Sequence, residues 1–377
     1  MKKLLFTFLC LFSFTLSQSQ TFNDGVLEYT VTDAANNYVS VKTYDNICPT
    51  GNLVIPETIT DNSISYTVTE IGNFGFENCT NITSVSLPSS LTGIGRGGFM
   101  GCSSLVDITL PNGLSYLGRE AFRDCTSLTD IIIPDSITII NMDAFRDCEN
   151  LINIHLPEGL TTLSQGVFYG CDSLTSIQLP DSLTSIGYIC FYSCNGLTNI
   201  DLPENITSIG GSAFANCNNL TNINIPESVT SIENNAFQNC TSLTNVTVNW
   251  NTPLSVDPNI FDNVPINTIP LTVPSGTIPG YQAAVVWQDF GSFMELSLTD
   301  FQLSETIKIY PNPVSEVFKI ELNNASELKT VVIYNHLGQI ISEENTTQIN
   351  VSNYAKGMYY AQIETSKGKS VKKFIVN

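Results

Sequence analysis

One stretch of sequence decides the fold: Leu174-Thr-Ser-Ile177-Gln-Leu179-Pro180-Asp-Ser-Leu183-Thr-Ser-Ile186-Gly187, followed by Phe191 and Cys194. The same pattern returns every 23 residues. Its cysteine stands at Cys79, Cys102, Cys125, Cys148, Cys171, Cys194, Cys217 and Cys240. Its phenylalanine stands at Phe76, Phe99, Phe122, Phe145, Phe168, Phe191, Phe214 and Phe237. A fixed period of this length indicates a solenoid of stacked repeats.

The periods inside one unit predict its local structure. Ile177 alternates with polar neighbours, which is typical of a short strand with one buried face. Pro180 cannot donate to a strand ladder and ends that strand. Gly187 permits a tight bend, and the spacing of Phe191 and Cys194 predicts about two helical turns that direct both side chains inward.

A unit of 23 residues cannot bury its apolar face alone, so neighbouring units must stack. The sequence therefore predicts an α/β fold, a right-handed solenoid with a parallel sheet on one side. The first rung is irregular, because an insertion separates Pro56 from Ile71. Alternation from Ser63 to Thr69 predicts a hairpin that caps the open edge of the sheet.

The last part of the chain loses the repeat and becomes richer in lysine. Short alternating segments at close spacing predict a small β-sandwich after the solenoid. The predicted strands are Ile307 to Pro313, Val317 to Leu322, Thr330 to Tyr334, Gln339 to Ser342, Met358 to Glu364 and Val371 to Val376.

Three further segments accompany the repeat: Asp24-Gly-Val-Leu-Glu-Tyr29, Tyr66-Thr-Val-Thr-Glu-Ile-Gly72, and Val273-Pro274-Ser-Gly276 followed by Tyr281, Ala284, Trp287 and Phe290. With these segments, residues 22 to 298 closely resemble the BspA-like leucine-rich-repeat family. The resemblance implies a leucine-rich-repeat solenoid whose final segment closes it. Because members are typically surface or secreted adhesins or binding scaffolds, it also implies recognition of a partner.

A second resemblance covers the C-terminal region. It rests on Tyr310-Pro-Asn-Pro313, Val332-Ile-Tyr334 with Leu337-Gly338, Lys356-Gly-Met-Tyr-Tyr360 and Lys372-Lys-Phe-Ile-Val376. These motifs resemble, in order, the type A (Por) sorting domain of Bacteroidetes-type type IX secretion, although Asn353-Tyr354 departs from its usual leucine. The resemblance implies passage through the outer membrane, removal of this domain, and either attachment to surface lipopolysaccharide or release.

The N-terminus has the features of a signal peptide, with Lys2 and Lys3 before the apolar stretch from Leu4 to Leu16. The expected location is therefore secreted or on the outer cell surface. The predicted organisation is a signal peptide (1–20), an N-terminal cap with an irregular first repeat (21–71), regular repeats (72–249), a C-terminal cap (250–298), a linker (299–305) and the sorting domain (306–377).

Composition and residue types limit the possible functions. Acidic residues outnumber basic residues 35 to 15, and the resulting charge of −20 argues against a nucleic-acid partner. The two histidines, His155 and His336, lie in different predicted domains, and no nucleophile or phosphate-binding motif occurs. His155 is expected to be a solvated surface residue. We therefore predict no catalytic residue, no cofactor and no enzymatic activity.

The cysteine ladder suggests metal binding or disulfides at first sight. A spacing of 23 residues places each thiol on a different rung, and the chain has too few histidines for zinc-type clusters. We expect neighbouring rungs to lie beyond the ~7 Å Cα limit for a disulfide. The prediction is therefore no metal site and small buried cysteines. Cys190 is also expected in the core, with a bond to Cys194 within the helical turns as the alternative.

One surface is predicted from the positions three before and one after each phenylalanine, which point outward together on helical turns. Its candidate partner-binding residues, here named the Arg–Tyr strip, are Arg96, Met100, Arg119, Arg123, Arg146, Tyr169, Tyr188 and Tyr192. Arginine and tyrosine are enriched at binding hot spots. The pattern predicts a basic, aromatic docking site for an acidic glycan or protein, and the alternative is a solvated surface of variable residues.

Residues and resemblance together predict a secreted or cell-surface binding protein, either an adhesin or a ligand-capture scaffold. Its expected partners are a protein or glycan on a host or bacterial surface and the type IX secretion machinery, which would act on residues 306–377. No transmembrane helix is expected after the signal peptide. The alternative function is a structural, self-associating surface protein without a specific ligand.

Overall fold

The computed structural model describes residues 20–296, 307–322, 327–335, 339–365 and 368–377. The predicted signal peptide up to residue 19, the linker 299–305 and His336 lie outside the described residues. The chain divides into two compact units. The first contains Met1–Thr221, Ser228–Leu243 and Val256–Val264, and the second contains Asn222–Glu227, Thr244–Ser255 and Pro265–Asn377.

The first unit begins with a small cap of longer strands. These are β1 (Thr21–Asn23), β2 (Leu27–Asp33), β3 (Tyr38–Thr43), β4 (Gly51–Val54), β5 (Thr58–Asp61) and β6 (Ile64–Ile71). β1, β2 and β3 pair in antiparallel order, and β3 then pairs in parallel with β6. β5 and β6 form the hairpin predicted from the alternation of Ser63 to Thr69.

Two ladders of very short parallel strands carry the repeat through this unit. The first contains β6, β8 (Gly93–Ile94), β10 (Tyr116–Leu117), a bridge at Ile140, β13 (Thr162–Leu163), β14 (Ser185–Ile186), β16 (Ser208–Ile209) and β18 (Ser231–Ile232). The second contains β4, β7 (Ile82–Ser86), β9 (Asp107–Ile108), β11 (Asp130–Ile132), β12 (Asn153–His155) and β15 (Asn199–Asp201). The pairings are parallel, so the predicted solenoid is confirmed.

The remaining side of each rung consists of consecutive β-turns, and the predicted helical turns are absent from the described repeats. Cys125 N–H donates to the Phe122 carbonyl three residues back, at 3.2 Å, which is a β-turn bond. Glu120 and Asp124 both have φ of 59°, a left-handed conformation that interrupts helical geometry. The only α-helix among the described residues is α1 (Ile278–Tyr281).

The turns are joined between rungs by backbone hydrogen bonds. Phe122 N–H, for example, donates to the Ala144 carbonyl at 2.9 Å. The eight phenylalanines from Phe76 to Phe237 stack with ring centroids 5.3–6.0 Å apart. Rungs are therefore about as close on this side as paired strands. The expected separation of neighbouring cysteines rested on helical turns between the rungs, and the described repeats have none.

Seven of the ladder cysteines are nevertheless free and buried, as predicted. Each thiol donates to the carbonyl of the phenylalanine one rung earlier, at 3.0–3.2 Å, as Cys148 does to Phe122. Burial raises the pKa of these thiols, to about 12 for Cys102. Cys190 is also buried and free, in agreement with its predicted core position.

Cys79 corrects the prediction that the ladder cysteines are all free. It forms a disulfide with Cys48, with a Cα–Cα distance of 5.1 Å. Cys79 belongs to the first regular rung, so no earlier phenylalanine carbonyl is present to accept a hydrogen bond from its thiol. The disulfide replaces that hydrogen bond and ties the segment after β3 to the beginning of the repeats.

The second unit contains β17 (Asn222–Ile225), β19 (Asn245–Val248), β20 (Pro270–Val273) and β21 (Ser292–Glu295), which pair in parallel in that order. α1 and two 3₁₀ turns, Ile266–Thr268 and Trp287–Asp289, lie among the later strands. Tyr281 and Trp287 are fully buried there. Their polar atoms donate to the carbonyls of Trp250 and Leu254, each at 2.7 Å.

The same unit ends in a small antiparallel β-structure. Its strands are β22 (Lys308–Tyr310), β23 (Val317–Glu321), β24 (Leu328–Asn335), β25 (Ile340–Glu344), β26 (Gln348–Asn350), β27 (Gly357–Thr365) and β28 (Gly368–Val376). They form a three-stranded sheet, β22-β23-β26, and a four-stranded sheet, β25-β24-β27-β28. Phe318 and Phe374 meet between the sheets, with centroids 4.5 Å apart. β26 is the one strand that was not predicted.

Candidate functional site

The Arg–Tyr strip lies on the turn side of five consecutive rungs in the first unit. Its four arginines are exposed to different extents, because some guanidinium groups lie deeper among acidic side chains. The exposed side-chain fractions are 51% for Arg96, 48% for Arg119, 34% for Arg123 and 26% for Arg146. Arg96 and Arg119 therefore present the more accessible cations.

Glu120 holds three of these arginines. Its side chain is only 8% exposed. Arg96 Nε lies 3.0 Å from one carboxylate oxygen, and Arg119 Nε and Arg123 Nη1 lie 3.7 and 3.5 Å from the other. A single buried carboxylate thus fixes three guanidinium groups drawn from two rungs.

Asp143 has the same role one rung later. Its side chain is 5% exposed, and its oxygens lie 3.6 Å from Arg119 Nη2 and 3.7 Å from Arg146 Nη1. Gly166 leaves space for this carboxylate, because a Cβ atom at Gly166 would overlap Asp143 Oδ1. Arg119 therefore links the Glu120 and Asp143 clusters into one row.

The turn geometry explains how these two carboxylates reach their positions. Glu120 and Asp143 both stand two residues before the phenylalanine of their rung, with φ of 59° and 56°. The same register position is left-handed in neighbouring rungs, at Gly97 and Gly166. An acidic residue there places its carboxylate beside the arginines, whereas glycine leaves room for a side chain of the preceding rung, Phe74 at Gly97 and Asp143 at Gly166.

Two more carboxylates complete the charge balance. Asp124 lies 3.3 Å from Arg123 Nε, and Asp147 accepts from Arg146 Nε at 3.2 Å. The four arginines are therefore matched by four carboxylates. The strip together with these carboxylates has no net positive charge, which corrects the description of this surface as basic. Glu120 and Asp143 are buried, so Arg96 and Arg119 present their guanidinium groups to solvent, whereas Asp124 and Asp147 remain 45% and 31% exposed beside Arg123 and Arg146.

Aromatic stacking extends this row into the next rungs. The Arg146 guanidinium lies over the Tyr169 ring, with Cζ 4.0 Å from the ring centroid. Tyr169 in turn stacks on Tyr192, with centroids 4.9 Å apart and the planes inclined by 7°. Arg146, Tyr169 and Tyr192 occupy the same position in three successive units. Repetition therefore builds a cation–π and aromatic stack.

The other two strip residues flank this row. Met100 is half-buried in the rung of Arg96, and Tyr188 is 50% exposed in the rung of Tyr192. A further aromatic residue escaped the sequence analysis: Phe74 lies under Arg96, whose Cζ is 5.3 Å from the Phe74 centroid. The roles of Glu120 and Asp143 were also missed. The signal was their shared position beside arginine-bearing positions in adjacent units.

The described residues contain no group of three or more His, Cys, Asp or Glu side chains arranged to hold a metal ion. His155 is exposed at the end of β12, as expected for a surface residue. Within the described ranges, none of the helices has the length and apolar character needed to span a membrane.

Comparison with known families follows the division of the chain into repeats and a C-terminal β-structure. Residues 56–175 and 161–281 match the BspA type leucine rich repeat region, in six copies. This match spans more than half of the 377-residue chain. The chain belongs to the BspA-type leucine-rich-repeat family. The buried Phe and Cys ladders are thus the core of BspA-type repeats, and the Arg–Tyr strip is built on their turns.

Solved structures of leucine-rich repeat proteins are similar to this chain, and the first of the two that follow supports its fold. A leucine-rich repeat protein from Bacteroides ovatus is 27% identical, with a TM-score of 0.56 over 73% of this chain and 76% of that chain. A leucine-rich repeat protein of T. pallidum is 28% identical, with a TM-score of 0.47 over 53% of this chain and 91% of that one. Among curated proteins, ulvan lyase NLR42 of Nonlabens ulvanivorans is 34% identical over 84 residues, which are 21% of this chain and 16% of that enzyme.

The C-terminal β-structure has its own match. Residues 308–377 match the secretion system C-terminal sorting domain. This BspA-type protein therefore carries the signal for type IX secretion, which delivers it to the cell surface or the exterior. The four motifs in the C-terminal sequence correctly indicated this domain.

Proposed function

We propose that this protein is an exported adhesin or ligand-capture scaffold that uses the Arg–Tyr strip to bind an acidic glycan or protein on a host or bacterial surface. It would act by recognition alone, without a catalytic residue or a cofactor. The type IX secretion machinery would be its partner during export, through the sorting domain.

One observation carries this proposal: exposed guanidinium groups are held in a row by buried carboxylates. Glu120 and Asp143 restrain Arg96, Arg119, Arg123 and Arg146 from below. Side chains that are already ordered lose less conformational entropy when a ligand binds. Free N–H donors on such arginines suit the paired oxygens of carboxylate or sulfate groups.

The aromatic stack adds the second element of a recognition surface. Tyr169 and Tyr192 form a flat extension beside Arg146. Tyrosine supplies a large contact area with few rotatable bonds, and arginine supplies a rigid planar guanidinium group. Both residues are enriched at binding hot spots. An extended ligand could therefore place acidic groups on Arg96 and Arg119 and an apolar face on the tyrosines.

The test is binding of the purified protein to heparan sulfate, sialylated glycans, extracellular matrix proteins and bacterial envelope fractions. The variant Arg96→Gln/Arg119→Gln removes the two most exposed cations and leaves Glu120 paired with Arg123. A control, Lys308→Gln/Lys319→Gln, makes the same change in net charge within the C-terminal β-structure. We expect saturable binding that the arginine variant loses and the lysine control retains. Equal binding by both variants would contradict the proposal.

A second candidate function is a structural, self-associating surface protein. It is supported by exposed apolar side chains near the second ladder: Val106 at 49%, Ile132 at 70% and Ile152 at 46% exposure. Exposed apolar patches on exported proteins favour contacts between molecules. Sedimentation velocity over a range of concentrations tests this function. Self-association that Ile132→Ser abolishes, without binding to any probe, would favour it over the adhesin.

A further inference from the structure

The outward-facing side chains of the first parallel ladder have one gap. In this ladder, Gly93 pairs with Glu70 on one side and with Tyr116 on the other. The same register position holds Thr162, Ser185, Ser208 and Ser231 in later rungs. Gly93 is the only one of these residues without a side chain. The gap is therefore a local feature of the ladder and does not recur along it.

A hollow of about 220 Å³ lies over this gap. Gly72, Gly93 and Gly95 are among its lining residues, and Glu70 and Tyr116 line it on the two sides of Gly93 in the ladder. A Cβ atom at Gly93 would lie 3.5 Å from Glu70 Cγ and 3.8 Å from Tyr116 Cδ1. Those are ordinary contact distances, so a larger side chain could occupy the space without strain. Ligand pockets for drug-sized molecules begin near ~300 Å³, so this hollow suits one small ring.

Tyr116 supplies an apolar wall for such a ring. Its residue is 52% exposed, and it stands one rung from Gly93. Equivalent aromatic side chains of neighbouring rungs can stack face to face, as the core phenylalanines on the turn side do at 5.3–6.0 Å. A flat ring entering at Gly93 would meet Tyr116 in the same way and continue the ladder.

Besides Ile71, three of the remaining lining residues have polar side chains. Ser40 contributes a hydroxyl, Glu70 a carboxylate and Asn73 an amide. Asn73 Oδ1 accepts from Arg96 N–H at 2.8 Å, which fixes that amide. Among the described residues, neither the Glu70 carboxylate nor the Ser40 hydroxyl has a side-chain hydrogen-bond partner. Both groups are thus available to hydroxyl groups of a ligand.

We propose that the hollow over Gly93 binds one neutral pyranose ring of a glycan. The C–H face of the sugar lies on Tyr116, and its hydroxyls donate to Glu70 and exchange a hydrogen bond with Ser40. An apolar face combined with a polar rim is the chemistry of a pyranose. The Glu70 carboxylate disfavours acidic sugars, and the polar lining disfavours an aromatic side chain.

This site is separate from the Arg–Tyr strip. Its ligand is neutral, and none of the strip side chains lines it. It therefore does not rest on the proposed function, and either one can fail without the other. Arg96 directly follows Gly95, which lines the hollow. If the strip and the hollow both bind ligands as proposed, one glycan could place a neutral ring over Gly93 and an acidic group on Arg96.

The test uses the purified protein and three probes: methyl glucoside, methyl galactoside and methyl mannoside, followed by saturation-transfer NMR and calorimetric titration. Gly93→Thr fills the hollow, and Tyr116→Leu removes the aromatic wall. Ser231→Thr is the matched control, because Ser231 occupies the same register in a rung outside the hollow. Tyr116→Phe keeps the ring, and thermal melting confirms that each variant is folded.

We expect at least one probe to bind the parent protein saturably. Its affinity should fall by roughly tenfold or more in Gly93→Thr and Tyr116→Leu, and stay within about twofold in Ser231→Thr and Tyr116→Phe. Unchanged binding by folded Gly93→Thr would overturn the proposal, as would the absence of binding for all three probes. Binding of phenylalanine amide in place of the sugars would overturn it too, and would indicate a peptide site. Loss of binding in Arg96→Gln/Arg119→Gln alone would assign the sugar to the strip instead.

Discussion

Arg146 and Tyr169 occupy equivalent positions in consecutive 23-residue units, and the guanidinium of one lies 4.0 Å above the ring of the other. The local sequence around Arg146 or Tyr169 does not determine this geometry. Stacking of one rung on the next brings them into contact, and Asp143 and Asp147 hold the arginine in place. The pair therefore tests whether the Arg–Tyr strip is ordered before any ligand arrives.

A double-mutant cycle measures this contact. We expect Arg146→Met and Tyr169→Leu to be coupled by about 0.5–1 kcal/mol in the free energy of unfolding, since the pair is partly exposed. Urea unfolding of the parent, both single variants and the double variant gives the value. The control cycle combines Arg96→Met with Tyr169→Leu, which lie three rungs apart and should be additive. Coupling of the same size in both cycles would disprove a direct contact.

The phenylalanine ladder predicts a large cost for a single truncation. Phe145 is fully buried between Phe122 and Phe168, with centroid distances of 5.6 and 6.0 Å. Phe145→Ala should lower the free energy of unfolding by about 3 to 5 kcal/mol, because the stacked rungs cannot collapse into the cavity. His155→Ala, at an exposed strand position, should have little effect. A melting curve for Phe145→Ala that matches the parent would contradict this packing.

The Cys48–Cys79 disulfide predicts a redox-dependent stability confined to one end of the repeats. It joins residues separated by 31 positions, and cross-links of this kind typically stabilise by about 2–4 kcal/mol. A reducing agent should therefore lower the melting temperature of the parent protein. The Cys48→Ala/Cys79→Ala variant should melt at the lower temperature with or without reductant. If reductant lowers the stability of that variant as well, the effect does not come from this disulfide.

The buried thiols predict a loss of stability in alkaline solution. Burial raises the pKa of Cys102 and Cys240 to about 12, whereas a thiol in the unfolded chain titrates near about 8.5. Above about pH 8.5 the unfolded chain releases protons that the native chain keeps, so the free energy of unfolding falls as pH rises. The stabilisation is complete below about pH 8.5 and is lost between there and about pH 12, at about 1.4 kcal/mol per pH unit for each thiol.

Urea unfolding at about pH 7.5, 9 and 10 measures this slope. Cys148→Ser keeps a donor for the Phe122 carbonyl and removes one titrating thiol, so its slope should be shallower by about 1.4 kcal/mol per pH unit. The control Ser193→Ala changes the residue directly before the ladder cysteine of another rung, Cys194, and removes no titrating group. It should therefore keep the parent slope. Identical slopes for Cys148→Ser and the parent would show that this thiol does not contribute.

The repeat determined much of the protein without any coordinates. A period of 23 residues with Phe and Cys at fixed places required stacked rungs, since no unit could bury those side chains alone. Side-chain alternation gave the strands, and the motifs at residues 308–377 gave the sorting domain. The 23-residue repeat also placed four arginines on one surface, because a constant period puts equivalent positions in one line: Arg96, Arg119, Arg123 and Arg146.

The tertiary structure decided what those positions contact. A spacing of three residues, as between Phe122 and Cys125, fits either a helix or a β-turn, so the sequence could not distinguish the two. In the structure, Glu120 and Asp124 have left-handed backbone conformations, and these produce β-turns. Stacked turns bring rungs close, which allowed Glu120 to pair with arginines from two units and cancelled the charge that the arginines alone suggested. Cys48 lies outside the repeat, so only the folded cap could place it beside Cys79. A one-dimensional pattern fixes which residues share a line, whereas the contacts between lines depend on the path of the backbone in three dimensions.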